Sequence, residues 1–575
     1  MLVSFIQKIN QKNHLTFKVI FLFLITSVCF TRSEWFIDDN LLLRYTLASF
    51  WLSLLVITQR NLRFGILEFL LLGIFFLSLL SMLWSMSASE ALFDAHRFFL
   101  GLPVFVTIIK LLELGERPFI MKLLISLALA LIIYNAGLLG LTFLHDKPFA
   151  GSSAHPNLLA SLMYLLIPLL IYAQHYINKS WKKLAWITMA LCITVIMLLS
   201  TRSALLGLLV FIAGFAIYRI WGNWSRKVVI GGMIGIALLI CSIPLAVSSG
   251  LFDSTSLYER LFIWEKTWRL IQEAPFYGVG AGNWALNYTK FGIGGFDTFE
   301  VFGLRMQRPH NDFLWITAEL GLLGLFLYTL FLGYLTRSWL KLKRSPATVL
   351  LIGVLGYMVI ASFSFPRERI EHQVLLFIVF AIVAFESDYL PKVSRWMKWV
   401  FILPLVLGVL IGAYRLNGEY HAREMITAKK SSDHQNTIEL AQAAQSPFYN
   451  YVGGDVPISS FMAEAHLRLT NHDAFEFYSK KAYEEAPFNY EVVSNYGMSL
   501  NAQQRYDEAR SVLLDAHAIN PRFDGALLNL AIVHYNLQRY SEAEEWLDRV
   551  NFKSPITDYY AGLIHKKLEE RGGDR

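Results

Sequence analysis

Residues 308–324, RPHNDFLWITAELGLLG, open with a proline and four polar or charged side chains and then run on as an apolar helix. The spacing is helical, with Leu314, Ala318 and Leu322 on one side and Ile316 and Leu320 on another, so apolar residues surround almost the whole circumference. A helix apolar all round is buried, either in a large core or in a bilayer. The rest of the chain points to the bilayer. It has 575 residues, of which 55% are hydrophobic and 17% charged, and stretches of about 20 apolar residues, the length that crosses a hydrocarbon core, recur along it. About thirteen are predicted, near 15–31, 41–58, 64–84, 91–112, 119–144, 157–176, 183–200, 203–222, 227–247, 313–336, 347–366, 370–388 and 397–414. The predicted fold class is all-α: a polytopic membrane protein with a soluble helical domain at its C-terminus.

The net charge of +7 is not a nucleic-acid footprint, because the basic residues neither cluster nor share a face. They fall in alternate loops: Lys8, Lys12 and Lys18; Arg60 and Arg63; Lys179, Lys182 and Lys183; Arg337, Lys341, Lys343 and Arg344. By the positive-inside rule these loops and the N-terminus are cytoplasmic. Counting spans then puts the segment 248–312 and everything after residue 414 on the outer side. The first apolar stretch follows lysines as a signal peptide would, but no small-residue cleavage site comes after it, so an uncleaved anchor is expected. Cys29, Cys192 and Cys241 lie inside predicted spans and form neither a disulfide framework nor a metal site.

Beyond residue 414 the composition becomes that of a soluble protein. APFNYEVVSNYGMSLNAQQRYDEARSVLLDAHAIN aligns with NPRFDGALLNLAIVHYNLQRYSEAEEWLDRVN at an offset of 34, which places Pro487 on Pro521, Tyr506 on Tyr540 and Ala509 on Ala543. A period of 34 is that of the tetratricopeptide repeat. A weaker copy precedes the pair at 453–486. The expected organisation is a transmembrane domain at 1–414, a linker and helix at 415–452, and an α-solenoid at 453–575. Such a solenoid either docks a protein partner or only caps the membrane domain.

The outer break at 248–312 is long for a connection between packed spans, as functional loops are. Within YERLFIWEKTWRLIQEAPFYGVGAGNW, the residues Leu261, Trp264, Trp268 and Ile271 recur at helical spacing, which predicts a helix lying along the membrane surface from about 257 to 273. Pro275 ends it, and GVGAG reads as a tight turn. Without a strand before it and a helix after it, this glycine pattern is no dinucleotide loop.

Arg202 sits in a three-residue outer break, in LLSTRSALLGLL, and Arg260 opens the loop helix. His155 and Asn157 stand at the mouth of the sixth span and His310 at the mouth of the tenth. Asn311 or Asp312 caps that span, and Glu319 lies within it, where a carboxylate is costly unless paired. The later outer stretch SFSFPRERIEHQ supplies Arg367, Arg369, Glu371 and His372 on the same side. Arginines forked onto phosphate at the membrane surface suit a lipid-linked diphosphate, and a histidine there suits an acceptor hydroxyl. Arg308 is set aside, since nothing beyond proximity to His310 supports it.

Together, STRSALLG, SAHPNLLASLMYLLIPL, YERLFIWEKTWRLIQEAPFYGVGAGNW and PHNDFLWITAELGLLG on a many-span chain resemble the superfamily of O-antigen ligases, O-antigen polymerases and protein O-oligosaccharyltransferases. The resemblance covers roughly residues 15–414. It implies a glycosyltransferase C type membrane fold in the bacterial inner membrane, with the C-terminal domain periplasmic. It implies transfer of a glycan from undecaprenyl diphosphate to a hydroxyl of a lipid or protein acceptor, with inversion, no metal and no cofactor. It maps His310 to the catalytic position and Arg202 and Arg260 to the diphosphate, with His155, Asn157, Asn311, Asp312, Glu319 and Arg367 as site lining. The residues leave ligase, oligosaccharyltransferase and polymerase open. A transporter or a non-catalytic scaffold is the reading from another class, and polar residues gathered at one surface instead of the bilayer midplane weigh against transport.

Overall fold

The computed structural model describes residues 2–59, 62–145, 149, 151–153, 155–221, 255–295, 306–339, 345–389, 391–394 and 397–572. Nine helices begin the chain: α1 (Leu2–Phe30), α2 (Leu41–Thr58), α3 (Ile66–Leu80), α4 (Ala88–Phe99), α5 (Gly101–Glu113), α6 (Arg117–His145), α7 (Pro156–Ala173), α8 (Lys179–Leu199) and α9 (Arg202–Trp221). After them come α10 (Thr255–Glu273), α11 (Asp312–Trp339), α12 (Thr348–Ala361), α13 (Ile370–Glu386) and α14 (Met397–Lys430). Among the described residues, nine helical segments are long and apolar enough to cross a membrane, and the chain is a multi-pass membrane protein. Twelve of the expected spans fall on helices; the other, 227–247, lies outside the described residues, as does Cys241.

Three differences from the sequence expectation matter. The fourth span is two helices, α4 and α5, which meet at Leu100, the C-cap of one and N-cap of the other. The last span does not stop at residue 414, because α14 continues without a break to Lys430 and carries the chain into the soluble domain. Finally, α11 is broken at Gly321, with φ 66° and ψ −172°.

That break explains GVGAG. The Val279 and Gly280 N–H groups donate to the Ala318 and Glu319 carbonyls at 2.9 Å, and in return Leu322 N–H donates to the Pro275 carbonyl at 2.7 Å. The turn thus satisfies the backbone groups freed by the break, a requirement for any irregular backbone packed in a membrane protein. The approach tolerates no side chain. A Cβ on Gly278 would lie 2.3 Å from the Glu319 carbonyl carbon, and one on Gly321 would lie 2.2 Å from the Phe276 backbone.

The repeats form as helix pairs: α15 (His434–Ala444), then α16 (Ile458–Arg468) with α17 (His472–Glu485), α18 (Tyr490–Ala502) with α19 (Tyr506–Ile519), and α20 (Asp524–Asn536) with α21 (Tyr540–Asp548), closed by α22 (Pro555–Gly572). The two RY sequences begin second helices at Tyr506 and Tyr540, as the period predicts. Between α15 and α16 a small hairpin pairs Tyr451–Val452 with Val456–Pro457. The solenoid does not hang free. Tyr490, Val493, Ala516, Ile519 and Ala526 share one apolar core with Ile263, Leu270, Trp284, Tyr288 and Ile293 of the loop. Backbone contacts reinforce it: Ile293 N–H donates to the Ile519 carbonyl at 2.8 Å, and the Thr289 hydroxyl to the Phe488 carbonyl at 2.8 Å.

The loop helix α10 packs into that core along one face. Its buried stripe is Ile263, Thr267, Leu270 and Ile271, while Trp268, expected on that stripe, is 54% exposed.

Candidate functional site

His310 is the last residue before the cap of α11. Its φ of 54° is in the left-handed region, which a non-glycine residue adopts at some cost and which must be held by its surroundings. Two contacts hold it. The Trp264 indole N–H on α10 donates to the Pro309 carbonyl at 2.8 Å, and Asn311 Oδ1 accepts from the Phe313 and Leu314 N–H groups at 3.0 Å, so Asn311 is the cap. The imidazole stands edge-on to the Phe365 ring, 4.8 Å between centroids. Its Nδ1 is buried without a hydrogen-bond partner.

Phe365, just before Pro366, is shared by three neighbours. His155 meets it at 6.1 Å, and the Arg308 guanidinium lies over it at 5.4 Å. His155 itself caps α7, where its Nδ1 accepts from the Asn157 N–H at 3.1 Å. That hydrogen bond leaves the ring proton of the neutral form on Nε2. Asn157 is half-buried in the first turn of α7.

Arg202 begins α9 and is exposed; Arg260, on α10, is half-buried. They are close enough that Arg202, after burial, pulls the Arg260 pKa below its ordinary value. His310 feels this cationic ground strongly. Burial, then Arg260, His155 and Arg308, push its pKa down to about 3, against a smaller opposing effect of Glu368. His155 is lowered as well, by burial, Arg369, Arg260 and Arg308. Phe365 thus joins His155 to His310, Arg260 acts on both imidazoles and Arg202 acts on Arg260, so that these histidines and arginines, from three different breaks in the chain, share one region.

The remaining expected lining residues, Asp312, Glu319 and Arg367, are engaged with one another. Asp312 Oδ2 accepts from the Arg367 N–H at 3.1 Å. Glu319 is 1% exposed, pairs with the Arg367 guanidinium at 2.6 Å and accepts from the Trp315 indole at 2.7 Å. Arg367 also stacks on Trp315 at 4.3 Å and lies 3.7 Å from Asp94. A buried carboxylate inside a span has found a guanidinium, as its cost demands. Below these, Glu371 pairs with Arg44 at 2.8 Å and His372 shares hydrogen bonds with Ser161 and the Leu158 carbonyl. These residues brace the helices.

Sequence reading set Arg308 aside and gave no site role to Glu368, Phe365 or Trp264. Arg308 pairs with Glu368, which also lies 4.0 Å from Arg97. Burial raises the Glu368 pKa, but Arg308, Arg369 and Arg97 outweigh it and hold the carboxyl below its usual range. Only Glu368 carried a signal, as the acidic residue between two arginines in PRERIEHQ; nothing in a sequence marks which aromatic ring will sit under a histidine.

The O-antigen ligase family matches residues 187–329, and the tetratricopeptide repeat matches residues 500–566. No curated protein matches the chain. The first match spans Arg202, Arg260 and His310, and together the two agree with the superfamily and the C-terminal repeats expected from the sequence.

Proposed function

From the O-antigen ligase match we propose that this protein is a glycosyltransferase that moves a glycan from undecaprenyl diphosphate to an acceptor hydroxyl, at the outer face of a bacterial cytoplasmic membrane. The observation that supports the reading is the grouping of His310 with His155 against Phe365, with Arg260 near enough to lower the His310 pKa and Arg202 near enough to lower that of Arg260. Arg202 and Arg260 bind the diphosphate, whose negative charge grows as the glycosidic C–O bond breaks. The acceptor oxygen bonds to the anomeric carbon from the opposite face, inverting it. Its proton passes to His310, and from there to the departing diphosphate.

The cations explain the timing. Without a donor, burial and then Arg260 make His310 a weak base; a bound diphosphate neutralises the Arg260 charge and restores part of that basicity when the substrates are in place. With two arginines to compensate the charge, the transfer is metal-independent. His155, Asn157, Asn311, Asp312, Glu319 and Arg367 position this apparatus, and the domain at 453–575 with its linker orients the periplasmic loop and contributes a surface to the acceptor or a protein partner. Ligase or protein O-oligosaccharyltransferase activity is the favoured form, because a solenoid fused to the loop suits a large acceptor; a polymerase is the second reading.

Deleting the gene and complementing with His310→Ala or Arg260→Ala tests this. Loss of capped lipopolysaccharide with accumulated lipid-linked precursor identifies a ligase, loss of protein glycosylation an oligosaccharyltransferase, and loss of chain length alone a polymerase. Full complementation by both variants would remove the catalytic assignment.

A further inference from the structure

The helix α11 is longer than the layer it crosses. Its 28 residues would reach about 42 Å at a rise of about 1.5 Å each, against a hydrocarbon core of about 30 Å. The break at Gly321 divides that length, and the part after it, 322–339, measures about 27 Å, enough to span the core by itself. Burial changes at the same point. None of residues 312–321 is exposed, whereas Leu322 and Leu323 both are, so the face turned to lipid starts at the break. The neighbouring α3, continued to Leu83, is 18 residues long and ends against the same turn of the loop. There the Trp84 indole N–H donates to the Gly278 carbonyl at 3.1 Å, and the Ala281 N–H donates to the Ser81 hydroxyl oxygen at 3.0 Å.

Phe276 and Tyr277 stand at this level. The Phe276 carbonyl accepts from the Leu323 N–H at 3.3 Å, while its side chain is 70% exposed. Tyr277 is exposed too and stands edge-on to Trp84 at 5.6 Å, and Leu83 beside them is 80% exposed. In water these side chains would form an uncovered apolar patch. They are continuous with Leu322 and Leu323, on a helix that crosses the membrane, so a protein covering them would have to enter the bilayer. The segment carries no charge that would resist lipid: residues 274–289 contain no Asp, Glu, Lys or Arg, and the flanking Glu273 and Lys290 pair with each other at 2.9 Å. Trp and Tyr gather where hydrocarbon meets headgroups. Irregular backbone reaches that depth only with its polar groups paired, as the Pro275, Phe276 and Gly278 carbonyls and the Val279, Gly280 and Ala281 N–H groups are.

We propose that residues 275–277 are a membrane-inserted foot of the loop: Phe276 and Tyr277 bind lipid in the leaflet facing the loop, and the hydrocarbon boundary lies at the Gly321 break and not at Asp312. The half-helix before the break, with Glu319, is then enclosed by protein above the acyl chains. The foot fixes the height of that half-helix, and of His310 before it, relative to the lipid surface.

The test uses the full chain in lipid nanodiscs, with Cys29, Cys192 and Cys241 replaced by alanine and a nitroxide label placed in turn at Phe276→Cys, Leu323→Cys, Leu330→Cys and, as a water-exposed control on the solenoid, Tyr559→Cys. Collision rates with oxygen and with a water-soluble nickel chelate give the depth of each label. Labels at 276 and 323 are expected to collide with oxygen and not with nickel, at depths that agree within about one helical turn, ~5 Å, with the label at 330 about 10 Å deeper. A boundary at Asp312 would instead put Leu323 about 16 Å down, near the bilayer centre, and that result would overturn the proposal. So would nickel access at 276 equal to that at 559, which means water, or shielding of 276 from both reagents, which means a protein cover. Independently of labels, Phe276→Asp should melt at a lower temperature in nanodiscs than Phe276→Leu, and equal melting of the two would also refute insertion.

Discussion

The indole N–H of Trp264 donates to the carbonyl of Pro309 at 2.8 Å, and the next residue, His310, holds a φ of 54°. One hydrogen bond from the loop helix thus anchors the strained residue on which the proposed chemistry depends. Trp264→Phe keeps the ring and loses the bond. It should cost about 1 kcal/mol of stability and lower kcat by about tenfold with little change in donor KM, measured by melting and by steady-state transfer. An unchanged kcat would mean the bond does not position His310.

His310→Asn separates side chain from backbone, because asparagine tolerates the left-handed region better than alanine. It should be as inactive as His310→Ala but more stable.

The depressed pKa of His310 has a defined pH consequence. An unfolded histidine titrates near about 6.5, whereas the folded one is pushed down to about 3. Its contribution to stability is therefore complete above the unfolded value and is lost as pH falls towards the folded one. His310→Asn should lose less stability than the native protein between about pH 6.5 and 3. Arg260→Gln removes a cation and should raise the imidazole pKa, as should added undecaprenyl diphosphate, both read by NMR titration of labelled histidine. A pKa indifferent to either would refute the coupling between donor and base.

Gly321→Ala meets the Phe276 backbone and an unfavourable φ together. The flexible end of no side chain is available to yield, so the turn must leave the break in α11 and the freed backbone groups lose their partners. Expected losses are more than about 2 kcal/mol and most of the activity. Gly333→Ala, where an added Cβ meets nothing within 4 Å, is the control.

Ile519→Asp places a charge in the core shared by the solenoid and the loop. It should destabilise by about 3 kcal/mol or more and reduce transfer to every acceptor, not to one. Loss confined to a single acceptor would show that the repeats select partners independently of the loop.

Much of the architecture was readable because its signals are local. Length and hydrophobicity mark the spans, and a period of 34 marks the repeats, so α18 to α21 fall where the alignment of Pro487 with Pro521 puts them. The two helices of the fourth span were not separable, since Phe99, Leu100 and Gly101 continue an apolar run without a polar break. Gly321 was equally silent. A glycine in an apolar helix is common, and only the approach of Phe276 reveals why this one matters.

The sequence by itself determined at which end of each span the candidate residues His155, Arg202, Arg260 and His310 stand, because hydrophobic length sets depth and the polar breaks carry them. It also placed Glu319 where only a partner makes burial affordable. The tertiary structure alone decided who meets whom. Phe365 joining His155 to His310, Arg367 claiming Glu319, Arg308 claiming Glu368, and the hairpin glycine Gly453 meeting Gln307 of the loop all join residues far apart in the chain. Such contacts depend on how the helices rotate and pack against one another, and rotation is set by the sum of many small packing energies across the bundle, which no local stretch encodes.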